Sequence, residues 1–376
     1  MRRILLLAAG LSATGLFGLN DARAADLKRY LYVMNDDDRS IDVFDIKDNH
    51  KKVRSIAVDT DVKPLFRSIS ANVGTGKLFI SDSKRKFVAA FDLLTDKMLW
   101  KRTYEQCTFP DRLNVTKDGS AVYVPCKENL RHVVLDPDTG DIVETILMGG
   151  RPHNSFTGES GKYMYLSGYH NTTLFVVDPT TRSKVEEIGG FSSPIRPFSV
   201  DREEKFFFAN LNALLGFGVG DITNGKKLFE VSVTTPAERT MYPEAATELT
   251  HDGDPLSHGI AVRPGKKEVW FLDDAWGYLY VFDTSPLYQA KPQPPVLIAS
   301  VPAFTDITKP WTETRWRWVA FSADGKYVYP SNGMVIDADT KEITDQKITP
   351  GEKLIEIDFD GDKPVLASGQ NGGYYE

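Results

Sequence analysis

The stretch from Trp318 to Asp337, WVAFSADGKYVYPSNGMVID, decides the fold. An apolar run at Val319–Phe321 is followed by a turn at Ser322–Gly325, an alternating run at Tyr327–Tyr329, a polar loop and a third run that closes on Asp337. Short alternating runs separated by Gly, Asp and Ser residues are typical of β-strands joined by turns. The stretch therefore predicts three short strands connected by tight turns.

The same unit recurs along the chain. Copies of a strand, a charged or glycine-containing turn and a second strand begin at Ser70, Val115, Phe156, Val200, Val262 and Phe321. A third run follows each copy and ends in an aspartate, at Asp92, Asp136, Asp178, Asp221, Asp283 and Asp337. A small unit of this kind cannot bury its faces alone, so the copies are expected to stack on one another.

The two ends of the chain supply a seventh unit. Runs at 30–34, 41–46 and 53–58 read as the later strands of a unit, and Leu354–Phe359 reads as a lone first strand. Joining these runs in one sheet, with Leu354–Phe359 innermost, closes a ring. The prediction is an all-β, seven-bladed β-propeller in a single domain over residues 25–376, closed by the C-terminal strand. The alternative, a two-sheet sandwich, does not predict a repeat of roughly 40 residues.

Residues 1–24 have the composition of a secretory signal peptide. Arg2 and Arg3 precede an apolar run that extends to about Gly18, and a small-residue cleavage site follows at 22–24. The run is too short to span a bilayer, which favours a signal peptide over a membrane helix or a buried N-terminal helix. Cleavage removes three basic residues and one acidic residue and takes the formal net charge from −7 to −9. We expect an acidic monomer, periplasmic or secreted, without a membrane span.

The repeats resemble those of the YVTN family of seven-bladed propellers, which includes the periplasmic YncE-like proteins. The resemblance rests on the turn Ser322–Gly325, the strand residues Tyr123 and Val124, and the segment Asp136–Gly140, and the repeat pattern covers essentially the whole mature chain. It implies a propeller with a functional entrance on one rim. It specifies no single function, because this fold carries binding proteins, scaffolds and enzymes.

Basic residues lie at the start of the predicted first strands, where they face the central channel or its mouth. They are Arg67, Arg112, Arg151, His153, Arg196, His258, Arg315 and Arg317. Basic side chains directed at one axis predict an anion-binding site, because like charges in a channel focus the electrostatic field. The alternative is that each arginine pairs with an aspartate of a neighbouring blade, such as Asp111 or Asp254.

Two long insertions and several histidines are predicted on the same rim. The insertions, Thr234–Leu256 and Ser285–Thr314, are placed between the last strand of one blade and the first strand of the next, where loops carry function or are decoration. If a divalent transition metal is bound, its ligands would be His153, His170, His251 and His258. No cofactor is favoured, because the sequence has no short motif with ligand spacing.

One segment resembles a cofactor-protein motif. Residues Ala90–Trp100 are similar to the tryptophan-docking motif of quinoprotein propellers, with Asp96 in place of a glycine. Those proteins have eight blades and repeat the motif, whereas it occurs once here. We therefore interpret Trp100 as an aromatic residue that packs between blades, and pyrroloquinoline quinone (PQQ) is not expected.

Cys107 and Cys126 are the only cysteines, and they flank the first two predicted strands of the third blade. Export to an oxidising compartment and the even number of cysteines favour a disulfide over two free thiols.

Two functions of different classes fit these observations. The first is an exported binding or scaffold protein that holds an anionic small molecule or a protein partner at the entrance of its channel. The alternative is a propeller enzyme, a lactonase or a metal-assisted oxidoreductase with His and Asp residues at the same face. No nucleophile and base can be identified, which favours binding. A single-stranded nucleic acid is a less favoured partner, with Trp316, Trp318 and Tyr278 as stacking platforms.

Overall fold

The protein is built from β-strands, as its repeats predict. The computed structural model describes residues 27–58, 61–233, 256–273, 277–303, 318–369 and 374–375. Helix in these ranges is limited to two 3-10 turns, at Lys127–Asn129 and Ser285–Tyr288. No helix of the described ranges is long and apolar enough to cross a membrane. The predicted signal peptide, residues 1–24, lies outside them.

The strands form seven antiparallel sheets, the blades of a propeller. The strands, in chain order, are β1 (Lys28–Asn35), β2 (Ser40–Asp45) and β3 (Lys51–Ala57) in blade 1; β4 (Phe66–Asn72), β5 (Lys77–Asp82), β6 (Phe87–Asp92) and β7 (Met98–Thr103) in blade 2; β8 (Asn114–Val115), β9 (Val122–Cys126), β10 (Arg131–Leu135) and β11 (Ile142–Leu147) in blade 3; β12 (Pro152–Thr157), β13 (Met164–Gly168), β14 (Leu174–Asp178) and β15 (Ser183–Ile188) in blade 4; β16 (Ile195–Val200), β17 (Phe206–Leu211), β18 (Gly216–Asp221) and β19 (Lys226–Ser232) in blade 5; β20 (Ser257–Val262), β21 (Glu268–Asp273), β22 (Tyr278–Asp283) and β23 (Val296–Pro302) in blade 6; β24 (Val319–Phe321), β25 (Tyr327–Pro330), β26 (Met334–Asp337) and β27 (Ile343–Lys347) in blade 7; and β28 (Leu354–Asp360), β29 (Lys363–Ser368) and β30 (Tyr374–Tyr375), which return to blade 1.

The aspartates that end the third strands explain why the repeat closes as it does. Carboxylate oxygens of Asp92, Asp136, Asp178 and Asp337 accept hydrogen bonds from the backbone N–H groups two and three residues further on. A short carboxylate side chain that satisfies these donors fixes the turn before the outer strand. These local hydrogen bonds require an aspartate at the same position of each repeat, so the repeat can be recognised in the sequence.

The ring closes as predicted, with one difference. Strand β28 pairs antiparallel with β1, so that Tyr30 lies opposite Ile357. The sheet order is β3-β2-β1-β28-β29-β30, so the prediction that Leu354–Phe359 is innermost is wrong, because β29 and β30 extend the sheet beyond it. Leu366 of β29 lines the same cavity as Val200 and Val262 of blades 5 and 6. The extra strands therefore lie within the channel.

Apolar side chains fill the spaces between blades. Trp100, which is interpreted above as a packing residue, lies between blades 2 and 3, where its Nε1 donates a hydrogen bond to the Pro137 carbonyl oxygen at 3.1 Å. A Cβ atom at Gly140 would come within 2.8 Å of the Trp100 ring, so the close approach requires glycine there. Asp96, which replaces the glycine of the docking motif, adopts the left-handed φ of 57° that aspartate tolerates.

The predicted disulfide is present between Cys107 and Cys126. Both cysteines are buried, and Pro110 forms an isolated β-bridge with Cys126. The bond closes a loop with a sequence separation of 19 residues, for which chain entropy gives a stabilisation of about 3 kcal/mol. It also fixes the segment that leads to Asp111 and Arg112, at the start of the inner strand of blade 3.

The first inserted segment, Thr234–Leu256, falls between β19 and β20 as predicted, but part of the second differs from its predicted placement. Residues 234–255 of the first insertion lie outside the described ranges. In the second, Val296–Pro302 is the outer strand of blade 6, so residues 285–295 precede that strand rather than follow it. The Tyr288 hydroxyl donates to Asp201 Oδ2 at 2.7 Å, next to the turn between β16 and β17. This part of the insertion is therefore on the rim opposite the one predicted, because the turns after first strands and after third strands share that rim.

Candidate functional site: the channel mouth

Local irregularities turn several of the predicted site residues away from their strands. The pairing register of the first strands shifts around Arg67, His153, Arg196 and His258. A β-bulge leaves a residue outside the hydrogen-bond ladder and changes the direction of its side chain. We name the cluster at this end of the channel the channel mouth; it consists of Arg67, Asp111, Arg112, His153, Tyr169, Trp318, Glu352 and Lys353.

Asp111 connects two of the predicted basic residues. Its Oδ1 accepts from Arg67 Nε at 3.0 Å, and its Oδ2 lies 2.8 Å from His153 Nδ1. Burial alone would raise the pKa of Asp111, but Arg67 and His153 outweigh it and hold the pKa well below its ordinary value. For Arg67 the structure therefore shows the alternative named above, an ion pair with an aspartate of the neighbouring blade.

His153 is a neutral hydrogen-bond partner in this cluster. Burial lowers its pKa well below the ordinary value, although Asp111 opposes the shift. Because the carboxylate accepts, Nδ1 carries the proton, and Nε2 is left as an acceptor. Nε2 is buried and has no partner among the described residues.

Glu352 is the second carboxylate of the channel mouth. Its Oε2 lies 3.5 Å from Arg112 Nη2 and also accepts from Lys353 Nζ. The guanidinium carbon of Arg112 stands 3.5 Å from the centre of the Trp318 ring, and Lys353 Nζ stands 5.3 Å from it. A ring face attracts cations at these separations. Trp318 and Glu352 therefore hold the Arg112 guanidinium and the Lys353 amine side by side.

Arg112 is the least satisfied cation of the cluster. Its side chain is 1% exposed, and its Nε and Nη1 atoms have no acceptor among the residues that the structure describes. Burial, followed by repulsion from Arg67, lowers its pKa to about 10. The group is still protonated at neutral pH, and each buried donor without a partner costs about 1–3 kcal/mol. An anion whose oxygens accept from these nitrogens would remove that cost.

The Tyr169 ring packs against three basic residues of this region. The guanidinium carbon of Arg196 lies 4.0 Å from its ring centre, Lys127 Nζ lies 4.1 Å from it, and the His153 ring centre is 4.2 Å away. Arg196 Nε also donates to Asn212 Oδ1 at 2.5 Å. These contacts hold His153 in place within the channel mouth and Arg196 in place next to it.

The remaining predicted residues are less central. Arg151 forms an ion pair with Glu128 and is 37% exposed. His170 is exposed in a loop of blade 4, whereas His258 is buried with its ring 5.8 Å from the Trp318 ring. Arg315, Arg317 and His251 lie outside the described residues.

The histidines do not assemble into a metal site in the part of the chain that can be described. No group of three or more His, Cys, Asp or Glu side chains in those ranges could hold one metal ion. His153 instead binds Asp111, and His258 packs near Trp318.

Sequence reasoning did not select Tyr169, Glu352 or Lys353 as site residues. Lys353 directly precedes the inner strand β28, as Arg67, Arg112 and Arg196 lie at the start of theirs. The signal for Lys353 is therefore its position before a first strand, which it shares with the predicted basic residues.

A buried histidine behind the channel mouth gives a pH test of the fold. His132 lies on β10, and burial lowers its pKa to about 3. Stability from a group with a lowered pKa is complete above the unfolded-state pKa of about 6.5 and is lost as the pH falls toward the folded-state value. The free energy of unfolding of the native protein minus that of His132→Leu should therefore fall by about 1.4 kcal/mol per pH unit below about pH 6.5.

Urea unfolding of both proteins over this pH interval measures that difference. The native protein and His132→Leu must be compared because Asp36 also changes the stability with pH. Burial raises the pKa of Asp36 to about 6, so its contribution to the free energy of unfolding has the opposite pH dependence in both proteins. A difference that does not change with pH would show that His132 titrates normally in the folded protein.

Comparisons with known proteins show the fold. No family model matches the chain, and no curated protein matches it. Among solved structures, it is similar to dihydro-heme d1 dehydrogenase NirN in complex with DHE, with 12% identity, a TM-score of 0.55, and coverage of 91% of this chain and 75% of that chain. It is also similar to hydrazine synthase from Kuenenia stuttgartiensis, with 18% identity, a TM-score of 0.47, and coverage of 78% of this chain and 98% of that chain.

At these identities the likeness concerns architecture alone, and the resemblance to the YVTN family stays a prediction. The seven sheets give the number of blades, and the NirN likeness is a likeness of fold. The chain is a seven-bladed β-propeller.

Proposed function

We propose that this chain is an exported β-propeller of the YVTN type that binds a small anionic ligand at its channel mouth. The observation that carries the proposal is Arg112, a buried cation with two donor nitrogens, Nε and Nη1, that have no acceptor among the described residues. Two carboxylates already balance part of the positive charge, so these donors, rather than a ring of unpaired cations, would hold the anion.

A small cavity adjoins the channel mouth at Arg67, Glu352 and Lys353. Arg112 is not part of its lining and adjoins it through its contact with Glu352. This cavity, of about 260 Å³, is lined by Asp36, Arg67, Glu352 and Lys353, among other residues. Pockets for drug-sized ligands are usually about 300–1,000 Å³. The ligand we propose is therefore a small carboxylate or phosphate of a few non-hydrogen atoms. A protein partner could present the same group as an acidic side chain at the rim.

Calorimetric titration with acetate, oxalate and inorganic phosphate tests the proposal. We expect at least one of these anions to bind at a single site, with an affinity that decreases as salt is added. Arg112→Gln should weaken binding about 10-fold to 100-fold, because a hydrogen bond to a charged group contributes about 1.5–3 kcal/mol. The affinity of Arg112→Lys should lie between those of the native protein and Arg112→Gln, since lysine keeps the charge but loses the guanidinium geometry.

The matched control is Arg102→Gln. Arg102 is an exposed arginine of the outer strand β7, where its Nε donates to the Thr139 carbonyl oxygen. Its loss should leave anion affinity unchanged. No binding by the native protein, or an equal loss in the Arg102 and Arg112 variants, would contradict the proposal.

A further inference from the structure

Lys353 is a buried amine that borders a cavity. Its side chain is 1% exposed, and it lines the cavity of about 260 Å³ together with Asp36, Arg67 and Glu352. Lysine is almost never fully buried unless it is paired. Its amine contacts the Glu352 carboxylate and, at 5.3 Å, the face of the Trp318 ring. A purely structural ion pair would not need to be placed against open space.

The surroundings of Lys353 favour the neutral amine. Burial lowers the pKa of Lys353 well below its ordinary value, Arg112 and Arg67 lower it further, and Glu352 opposes the shift. The charged groups that face this amine are therefore Arg112, Arg67, Glu352 and, across the cavity, Asp36. Each unit by which the pKa falls raises the fraction of neutral amine at pH 7 about tenfold. A desolvated lysine next to another cation is an activated nucleophile.

We propose that Lys353 forms a reversible imine with a small 2-oxo acid, a ligand class that rests on the anion-binding function proposed above. The Nζ lone pair adds to the carbonyl carbon, and two proton transfers allow the carbonyl oxygen to leave as water. A C=N bond thus replaces the C=O bond without oxidation or reduction. The protonated imine lies beside the Glu352 carboxylate, and the carboxylate of the oxo acid is bound by Arg67 or Arg112.

The cavity fits this class of ligand. A 2-oxo acid carries its carboxylate on the atom next to the carbonyl, so an amine and a guanidinium must border the same small space. Lys353 and Arg67 both line the cavity. Glu352, which contacts Lys353 and Arg112, offers a negative charge to the iminium but repels the carboxylate of the ligand. This repulsion orients the ligand with its carbonyl carbon toward Lys353.

Reductive trapping tests the inference. The intact protein is incubated at neutral pH with glyoxylate or pyruvate and sodium cyanoborohydride, which reduces the imine to a stable secondary amine, and the modified lysines are located by peptide mass spectrometry. We expect Lys353 to be modified at least about tenfold faster than Lys226, an exposed lysine of the outer strand β19, because burial lowers the pKa of Lys353 well below its ordinary value.

Two variants separate chemistry from folding. Lys353→Arg keeps hydrogen-bond donors beside Glu352 but cannot form an imine, so it should still bind acetate and should lose the selective modification. Glu352→Gln removes the counter-charge of the iminium and should slow the modification of position 353 while the modification of Lys226 is unchanged.

The outcomes distinguish this inference from the proposed function. If acetate and glyoxylate bind at the channel mouth but Lys353 is modified no faster than Lys226, the imine is refuted and anion binding stands. If neither anion binds, both fail. Selective trapping at Lys353 that acetate competes away supports both.

Discussion

A chain that ends at Lys353 is expected to lose cooperative folding. The truncation removes β28, which pairs with β1 and supplies the inner strand that closes blade 1. Four of its apolar side chains are buried, Leu354, Ile355, Ile357 and Phe359. At about 1.5–3 kcal/mol for each, their burial contributes about 6–12 kcal/mol. That is comparable with the whole stability of an ordinary domain, about 5–15 kcal/mol.

A chain that ends at Asp360 is the matched control. It keeps β28 but lacks β29 and β30, so the ring still closes and only the strands inside the channel are lost. We expect it to unfold cooperatively, at a lower temperature than the full chain. Differential scanning calorimetry of the three lengths measures this. A cooperative transition at the native temperature in the chain that ends at Lys353 would show that closure does not depend on the C-terminal strand.

Replacing Asp111 by asparagine is expected to lower the free energy of unfolding by about 3–5 kcal/mol, the cost of removing one partner from a buried ion pair. Arg67 would be left without its carboxylate, and His153 Nδ1 would lose a charged acceptor. The low pKa of Asp111 means that its contribution is complete above about pH 4 and is lost only as the pH falls through the lowered value. The effect should therefore be present in full at neutral pH.

A double-mutant cycle identifies the origin of this loss. Arg67→Met with Asp111→Asn removes both charges, so the double variant should lose less stability than the sum of the single variants. Asp345→Asn, at an exposed position of the outer strand β27, is the control and should change stability by no more than about 0.5 kcal/mol. Strict additivity of the two single variants in urea unfolding would refute the coupling between Arg67 and Asp111.

The repeats made most of the fold predictable. Each blade contains local features, such as the turn at Ser322–Gly325 and the aspartate Asp337. These features indicate strands and turns without any knowledge of distant contacts. Strands β29 and β30 carry no such signal, because residues 361–376 match no part of the repeat. Whether they extend the sheet depends on the free inner edge of β28, which exists only once the ring has closed.

The site was less predictable, because its geometry depends on neighbouring blades. Alternation shows that Arg67 and His153 lie at the starts of strands, but the bulges that aim them at Asp111 interrupt that alternation. The contact between Arg112 and Trp318 joins blades 3 and 7 across the ring. Lys353 lies just before β28 and Tyr169 lies in a loop after β13. At such positions the repeat pattern does not predict the direction of a side chain.

The central claim is that Arg112 Nε and Nη1, which have no acceptor among the described residues, bind an anion. Arginine side-chain NMR tests this claim most directly. The Arg112 Nε–H proton is identifiable, because the guanidinium stands 3.5 Å from the centre of the Trp318 ring and its signal is absent from Arg112→Lys. On saturation with the anion that binds in calorimetry, we expect this signal to move downfield and to exchange more slowly with water, as a new charge-assisted hydrogen bond requires. The Arg102 signal should stay in place. An unchanged Arg112 signal at full occupancy would contradict the account.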